Sequence, residues 1–376
     1  MLKLLIWENI ASPHQSFFFK ALAEHPNIDL KVRYFEKFHT ERKAMGWQDN
    51  LLLPNIEKYV SSNVDEALDS IDDWQQRIHI IPGNSYSFTK KLIDLFISKK
   101  IKWIHWSERG GIVLAKKTNF NIRLFDILYP LYAKATKHTY AKKINKYALG
   151  ALGQGKLAIK DFHRWGIKKE KTATLYYTIG KIVANEKPSD LPAASGIKFI
   201  YAGSLTRRKG VEYLIEAFSY ISRDVDSLVI IGCGEREDIL AKLASKLKIE
   251  NRVHFLGAKD ITDVPNYIFY SDVFVLPTLF DGWGAVLNEA AALGKPIIST
   301  NQCGSAYHII DNENNGFMVN AGNAKALAEA MEKYIKHPDL IKIHSKKSKE
   351  RYEQFFTPQK NVERLLKQLE KWGVKT

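Results

Sequence analysis

The chain reads as an α/β protein built from two Rossmann-like, doubly wound parallel sheets, and three observations point there. Short apolar runs closed by glycine alternate with helical stretches, the pattern of strand, helix and parallel strand. The length, 376 residues, divides into roughly two domains at about 150 residues each. Between the two halves, Glu186 to Ser195 carries two prolines and small polar residues that break both periodicities, as a linker does. The expected division is a first domain over 1–185, a second over 196–350, and a terminal helical segment over 351–376 that packs back on the first.

The elements follow in order. Leu2 to Trp7 is a buried strand; Glu8 and Asn9 cut its apolar run too short for the core of a secretion signal. A helix near Ser16 to Glu24 follows, then strands over Ile28 to Phe35, Ile78 to Pro82 and Ile101 to Trp106, with a helix over Phe88 to Lys99 before the last. The second half has the cleaner rhythm. Ile197 to Ala202, closed by Gly203, precedes a helix over Val211 to Ile221. Ser227 to Ile231, closed by Gly232, precedes Glu235 to Leu247, and Arg252 to Leu256 precedes Val264 to Tyr270. Asp272 to Leu276 leads to a helix over Ala285 to Leu293, Pro296 to Thr300 follows, and Gly316 to Val319 leads to a helix over Ala324 to Ile335. Val362, Leu365, Leu366 and Leu369 make one apolar face of a last helix over Asn361 to Trp372.

Composition narrows the function. Hydrophobic residues at 45% with 26% charged describe a folded chain, not a disordered or collagen-like one. No apolar run reaches the roughly 18 residues of a membrane span. Cys233 and Cys303, the only cysteines, are too few for a disulfide framework and suit a reducing compartment, so a cytoplasmic location is expected. The net charge of +15 points to an anionic partner: nucleic acid, membrane or a phosphorylated substrate. Between Ile127 and Lys160 seven lysines accumulate without a single acid, interleaved with Tyr129, Tyr132, Tyr140 and Tyr147. Such a stretch suits anionic headgroups, and it equally suits a solvated helix face.

Two loops carry candidate chemistry. Gly203-Ser204-Leu-Thr-Arg207-Arg208-Lys209-Gly210 joins a strand to a helix; a glycine turn there lets backbone N–H groups and the helix dipole meet an anion, and its cations suit a diphosphate. The spacing is not that of a Walker loop. Asp281-Gly-Trp283-Gly284-Ala-Val-Leu-Asn-Glu289 follows a second strand, and its two carboxylates can accept paired hydrogen bonds from vicinal sugar hydroxyls. Open sheets of this kind bind ligands at the carboxyl ends of their strands, so a cleft between the two domains is the expected site.

In order and separation these loops resemble the GT-B glycosyltransferases of the large retaining family four, whose pattern is a Gly-Arg-Leu-x(3)-Lys-Gly run followed by Glu-x-Phe-Gly-x(4)-Glu-Ala. Gly232-Cys-Gly-Glu235, Val253-His-Phe-Leu-Gly257 and Ala290-Ala-Ala-Leu-Gly-Lys-Pro296 extend the likeness, which is specific from Phe199 to Gly316 and thin before it. The resemblance implies a GT-B fold whose domains face across a cleft. It implies a nucleotide diphosphate sugar as co-substrate, with neither cofactor nor metal, and retention at the anomeric carbon. Lys209 with Arg207 or Arg208 would grip the diphosphate, since Ser204 stands where the family has arginine. Glu289 would accept the ribose hydroxyls and Asp281 those of the transferred sugar, one methylene shorter than the usual Glu. The N–H groups of Trp283 and Gly284 would orient that sugar. In the first domain, the acceptor side, the matching loops are Ala11-Ser12-Pro-His14-Gln15 and Ile104-His105-Trp-Ser-Glu108. There His14 or His105 would touch the donor sugar, and Glu108 beside Arg109 would meet an acceptor hydroxyl.

The expected activity is that of a retaining, metal-independent hexosyltransferase. It would extend a lipid-linked or surface glycan of the O-antigen, capsule or lipopolysaccharide type, on the inner face of the cell membrane. A sugar-nucleotide epimerase or phosphorylase of the same architecture is the alternative. A nucleic-acid binder is less favoured, because the carboxylate pair would repel a phosphate backbone.

Overall fold

The computed structural model describes residues 1–36, 52–193, 195–221 and 223–376. They form two compact units: Met1–Gly110 with Leu128–Gly180 and Phe356–Thr376, and Gly111–Ile127 with Lys181–Phe355.

The first unit holds a seven-stranded parallel sheet of β1 (Leu2–Glu8), β2 (Ile28–Tyr34), β3 (Glu57–Tyr59), β4 (Ile78–Ile81), β5 (Trp103–Ser107), β6 (Gly150–Gly153) and β7 (Thr172–Thr174). Their order is β3-β2-β1-β4-β5-β6-β7. The strand order reverses between β1 and β4, so their carboxyl ends open a crevice. The helix Pro13–Ala23 starts there, with extended Ser12 before it and Pro13 at its first position, where no backbone donor is needed. It buries Phe18, Phe19 and Leu22 against the sheet.

The last helix, Pro358–Lys371, completes this core with Val362, Leu365 and Leu369. Asn361 ties it to the chain after β7: its Nδ2 donates to the Tyr176 carbonyl at 2.7 Å and its Oδ1 accepts from Tyr176 N at 3.0 Å. The preceding helix, Asp339–Phe355, groups with the second unit. The break is local chemistry: Pro358 cannot continue a helix, and Thr357, extended, caps the new one through Lys360 N.

The second unit holds a six-stranded parallel sheet ordered β10-β9-β8-β11-β12-β13. Its strands are β8 (Lys198–Ala202), β9 (Ser227–Ile231), β10 (Val253–Phe255), β11 (Val273–Leu276), β12 (Ile297–Thr300) and β13 (Gly316–Val319). β8, β9, β11 and β12 are buried at every residue, because helices cover both faces of a parallel sheet. The strand order reverses between β8 and β11, and both loops singled out in the sequence leave the carboxyl ends of those two strands. Gly111–Ile127, expected in the first domain, also groups with this unit.

Candidate donor site at the β8 and β11 strand ends

The loop after β8 turns through a single 3-10 turn, Arg207–Lys209. Gly210 ends it at φ +63°, where an added Cβ would stand 2.5 Å from the Pro277 carbonyl oxygen, so only glycine lets the two loops approach this closely. They are then stitched together. The Arg208 carbonyl accepts Leu279 N at 2.8 Å and Thr278 Oγ1 at 3.1 Å. Gly203 N donates to the Ile231 carbonyl at 3.0 Å, and the Ser204 carbonyl accepts Tyr201 Oη at 2.9 Å.

That stitching brings a carboxylate to two cations. Asp281 Oδ2 lies 2.5 Å from Lys209 Nζ, and Asp281 Oδ1 lies 3.1 Å from the Arg208 guanidinium. Arg208 also donates to the Phe280 carbonyl at 3.0 Å. Burial alone would raise the Asp281 carboxyl, but the two cations outweigh it and hold it below the usual carboxylate value. Arg207 points elsewhere and pairs with buried Glu212. Of the two arginines the sequence left open, Arg208 is therefore the one that stands with Lys209. The Asp281 carboxylate, on a side chain one methylene shorter than Glu, is engaged by these cations.

Trp283 is fully buried; its Nε1 donates to Asn288 Oδ1 at 2.8 Å and its ring stacks on His308. Gly284 sits at φ +86° with its Cα facing Cys303, where a Cβ would meet Sγ at 2.6 Å. The turn thus launches the helix Val286–Ala292, which carries Glu289. Glu289 is half-buried, and loss of solvent pushes its carboxyl up to about 7. Two carboxyl groups eight residues apart in sequence are thereby set at opposite ends of the proton-affinity range, one charged and held by cations, one near the point of titration at neutral pH.

The first unit places its candidates differently. His105 is buried, with Nδ1 3.0 Å from Tyr140 Oη and Nε2 2.8 Å from Ser107 Oγ, and its ring is walled by Phe162 and Trp165. Burial pushes it down to about 3, so it is a neutral ring packed inside its unit and not an exposed histidine at a site mouth. Glu108 is exposed, while Arg109 is buried with its guanidinium 3.7 Å from Asp161. Ser12 Oγ lies 2.9 Å from Tyr177 Oη, and Gln15 Nε2 donates to Glu8 Oε1 at 3.4 Å. The His14 side chain lies outside the described residues. Glu8 is the residue that sequence reasoning missed. It ends β1, is buried, and is pushed up to about 8 by burial, with the charge of Glu108 adding to the rise. A lone acid closing an apolar strand, just before Ser12 and Gln15, was the available signal.

Comparison with known proteins fixes the fold. Anabaena HepE, solved with UDP and glucose, superposes with a TM-score of 0.73 at 15% identity, covering 98% of this chain and all of that one. The lipopolysaccharide outer core galactosyltransferase WaaB follows at 0.72 and 16%, covering 98% and 99%. Likeness of this kind defines the fold: two Rossmann-like sheets in the GT-B architecture.

Residues 184–355 match the family model for Glycosyl transferases group 1. Over 176 residues the chain is 33% identical to the lipopolysaccharide core biosynthesis glycosyltransferase LpsE of Rhizobium meliloti, spanning 45% of this chain and 49% of that protein. The uncharacterized glycosyltransferase MJ1069 of Methanocaldococcus jannaschii aligns over 98% of both chains at 24%.

Proposed function

We propose that the protein is a retaining hexosyltransferase that moves a sugar from a nucleotide diphosphate sugar to a lipid-linked or surface-glycan acceptor, in lipopolysaccharide, O-antigen or capsule biosynthesis. The observation that carries this reading is the gathering of Lys209 and Arg208 on the Asp281 carboxylate where the strand order reverses, with half-buried Glu289 on the helix that follows. A diphosphate offers more negative charge than one carboxylate and competes for the same Lys209 ammonium and Arg208 guanidinium. Relatives in lipopolysaccharide and capsule biosynthesis and neighbours solved with UDP support the substrate class.

In the reaction so read, the bond from the anomeric carbon to the diphosphate oxygen breaks with its electron pair leaving on that oxygen. Lys209 and Arg208 stabilise the charge that develops there. The acceptor hydroxyl forms its bond to the anomeric carbon on the same face and passes its proton to the departing diphosphate. Positioning and electrostatics supply the catalysis, with no covalent intermediate on the protein. Glu289 accepts the ribose hydroxyls. Ser12, Gln15, Glu8 and Glu108, at the carboxyl edge of the first sheet, offer polar groups to the acceptor.

A peripheral place on an anionic membrane is part of the reading. On the helix Ile122–Tyr147, Ile127 and Leu131 stand one turn apart and are 70% and 71% exposed, with Lys134 exposed beyond them. Apolar side chains flanked by lysine suit the headgroup boundary. Further along the basic stretch, Lys137 and Lys143 are bound to Asn84 and Asp94, so the exposed apolar pair that favours a bilayer stands at the start of that stretch. Ile127→Glu with Leu131→Glu should abolish co-sedimentation with anionic liposomes; undiminished binding would remove the membrane from the reading.

The central test is a thermal-shift panel of nucleoside diphosphates and their sugar conjugates, with duplex DNA and NADH as controls. At one hundred times its dissociation constant a ligand adds about 2.7 kcal/mol, so one nucleotide diphosphate should raise the midpoint by several degrees and lose that effect in Lys209→Ala. A flat diphosphate series beside a salt-sensitive shift with DNA would overturn the assignment.

A further inference from the structure

Arg207, released from the Asp281 cluster, faces a different space. A cavity of about 870 Å³ lies in the second unit between the turn at Thr118–Arg123 and the carboxyl ends of β12 and β13. Its walls include Arg207 and Leu279 of the two donor-site loops but not Arg208, Lys209, Asp281 or Glu289, so it adjoins the candidate donor site and is distinct from it. Among the described residues no Asp or Glu lines it, while Arg123, Arg207 and Lys325 do. Glu212, behind Arg207, is shared with Arg236 at 3.7 Å, which leaves that group of three charges net positive.

Two helix starts also converge on the cavity. Asn121 Oδ1 accepts Leu124 N at 3.0 Å at the head of the helix Ile122–Tyr147, and Asn323 Oδ1 accepts Ala326 N at 3.0 Å at the head of Ala324–Lys336. Both asparagines line the cavity with their oxygens spent on the helices, and both helix dipoles place positive charge at it. The walls are thus rich in donors and cations and poor in fixed acceptors. The volume far exceeds that of one inorganic anion, since a water occupies about 30 Å³, and it matches sites for molecules of disaccharide size or larger. Amide donors and the Tyr213 hydroxyl suit sugar hydroxyls; the cations require acid groups on the same ligand.

We propose that this cavity is a second carbohydrate site, one that holds an oligosaccharide bearing phosphate or carboxylate groups. It is independent of the donor site and stands or falls separately from it.

The test is calorimetry on the full chain with trehalose 6-phosphate, a glucuronic acid–glucose disaccharide, uncharged trehalose and inorganic phosphate, each with and without a nucleotide diphosphate. At least one acidic disaccharide should bind at least tenfold more tightly than both trehalose and phosphate. Arg123→Glu combined with Lys325→Glu should weaken it at least tenfold while the melting temperature and nucleotide binding stay unchanged; Lys325→Gln alone should give an intermediate loss. The relative strength of phosphate and carboxylate probes identifies the acid group. Equal binding of trehalose, equal binding of phosphate alone, absence of binding, or indifference to the double variant would each overturn the site.

Discussion

In the first unit, His79 and His105 lie under packed rings and are both pushed down to about 3 by burial. His79 takes a hydrogen bond from Trp7 Nε1 at 3.0 Å and donates to the Trp74 carbonyl at 2.8 Å, a neutral ring serving the core. In the second unit the ionisable groups at the strand ends stay charged or titratable: Asp281 between Lys209 and Arg208, and Glu289 near 7. Both units have parallel sheets of the same winding, so the sheet alone does not decide where charge goes. What differs is the connection. In the second unit the turn Gly203–Gly210 carries cations across to the neighbouring strand end, while in the first unit both histidines lie within their strands, packed against aromatic rings.

The largest effect should fall on that contrast within the charged loop itself. Lys209→Ala and Arg208→Ala should each lower turnover by about 10²- to 10³-fold, the cost of losing a donor to developing charge in an enclosed site. Arg207→Ala should leave the rate within about threefold of the parent, because its partner is Glu212. Steady-state rates with the donor found in the thermal panel decide the matter, and equal losses at Arg207 and Arg208 would erase the distinction drawn between them. Second in size is Leu365→Ala, which removes a fully buried side chain from the first unit's core. It should cost about 2–5 kcal/mol, read as an earlier denaturant midpoint for the first unit, while nucleotide binding by the second is retained.

The fold was legible where its chemistry is local. Strands closed by glycine in the second half, and the two loops they lead to, were readable because a backbone that must turn tightly at Gly210 and Gly284 accepts little but glycine. The short strands Gly150–Gly153 and Thr172–Thr174 were not, since a strand of three or four small residues has no period to read. The helix Ile122–Tyr147 carries Pro130 and no single apolar stripe, so only its lysines stood out. Placing Arg208 and not Arg207 beside Asp281 needed coordinates, because adjacent residues on a 3-10 turn face different ways. The burial of His105 needed them too: the rings that enclose it come from residues 35 to 60 positions later in the chain.

Acid should separate the units again, more gently. For His79 and His105 the folded value of about 3 lies below the unfolded value near 6.5, so the unfolded chain takes up protons that the folded one refuses. Their contribution is fully present above about 6.5 and is lost as the pH falls toward 3, by up to about 1.4 kcal/mol per pH unit for each ring. The stability of the first unit, followed by tryptophan emission in denaturant between pH 7 and 4.5, should therefore fall with acid. Replacing His79 by Gln, which keeps a donor and an acceptor without a titrating ring, should flatten the slope. A slope unchanged in that variant would show that other groups carry it.

The smallest effect probes Glu289 directly. A carboxylate accepts two hydroxyl hydrogen bonds, whereas its protonated form competes as a donor, so ribose binding should favour the ionised state. With its carboxyl pushed up to about 7 before ligand binds, it is mostly protonated at pH 6 and mostly ionised at pH 8. Nucleotide affinity should then rise about tenfold across that interval, and calorimetry in two buffers of different ionisation enthalpy should detect a proton released on binding near pH 6.5. Glu289→Gln should bind more weakly than the parent at pH 8 and lose both the rise and the released proton. A parent affinity that falls with pH would place the ligand's own negative charge, and not its hydroxyls, against Glu289, and would move the ribose away from this helix.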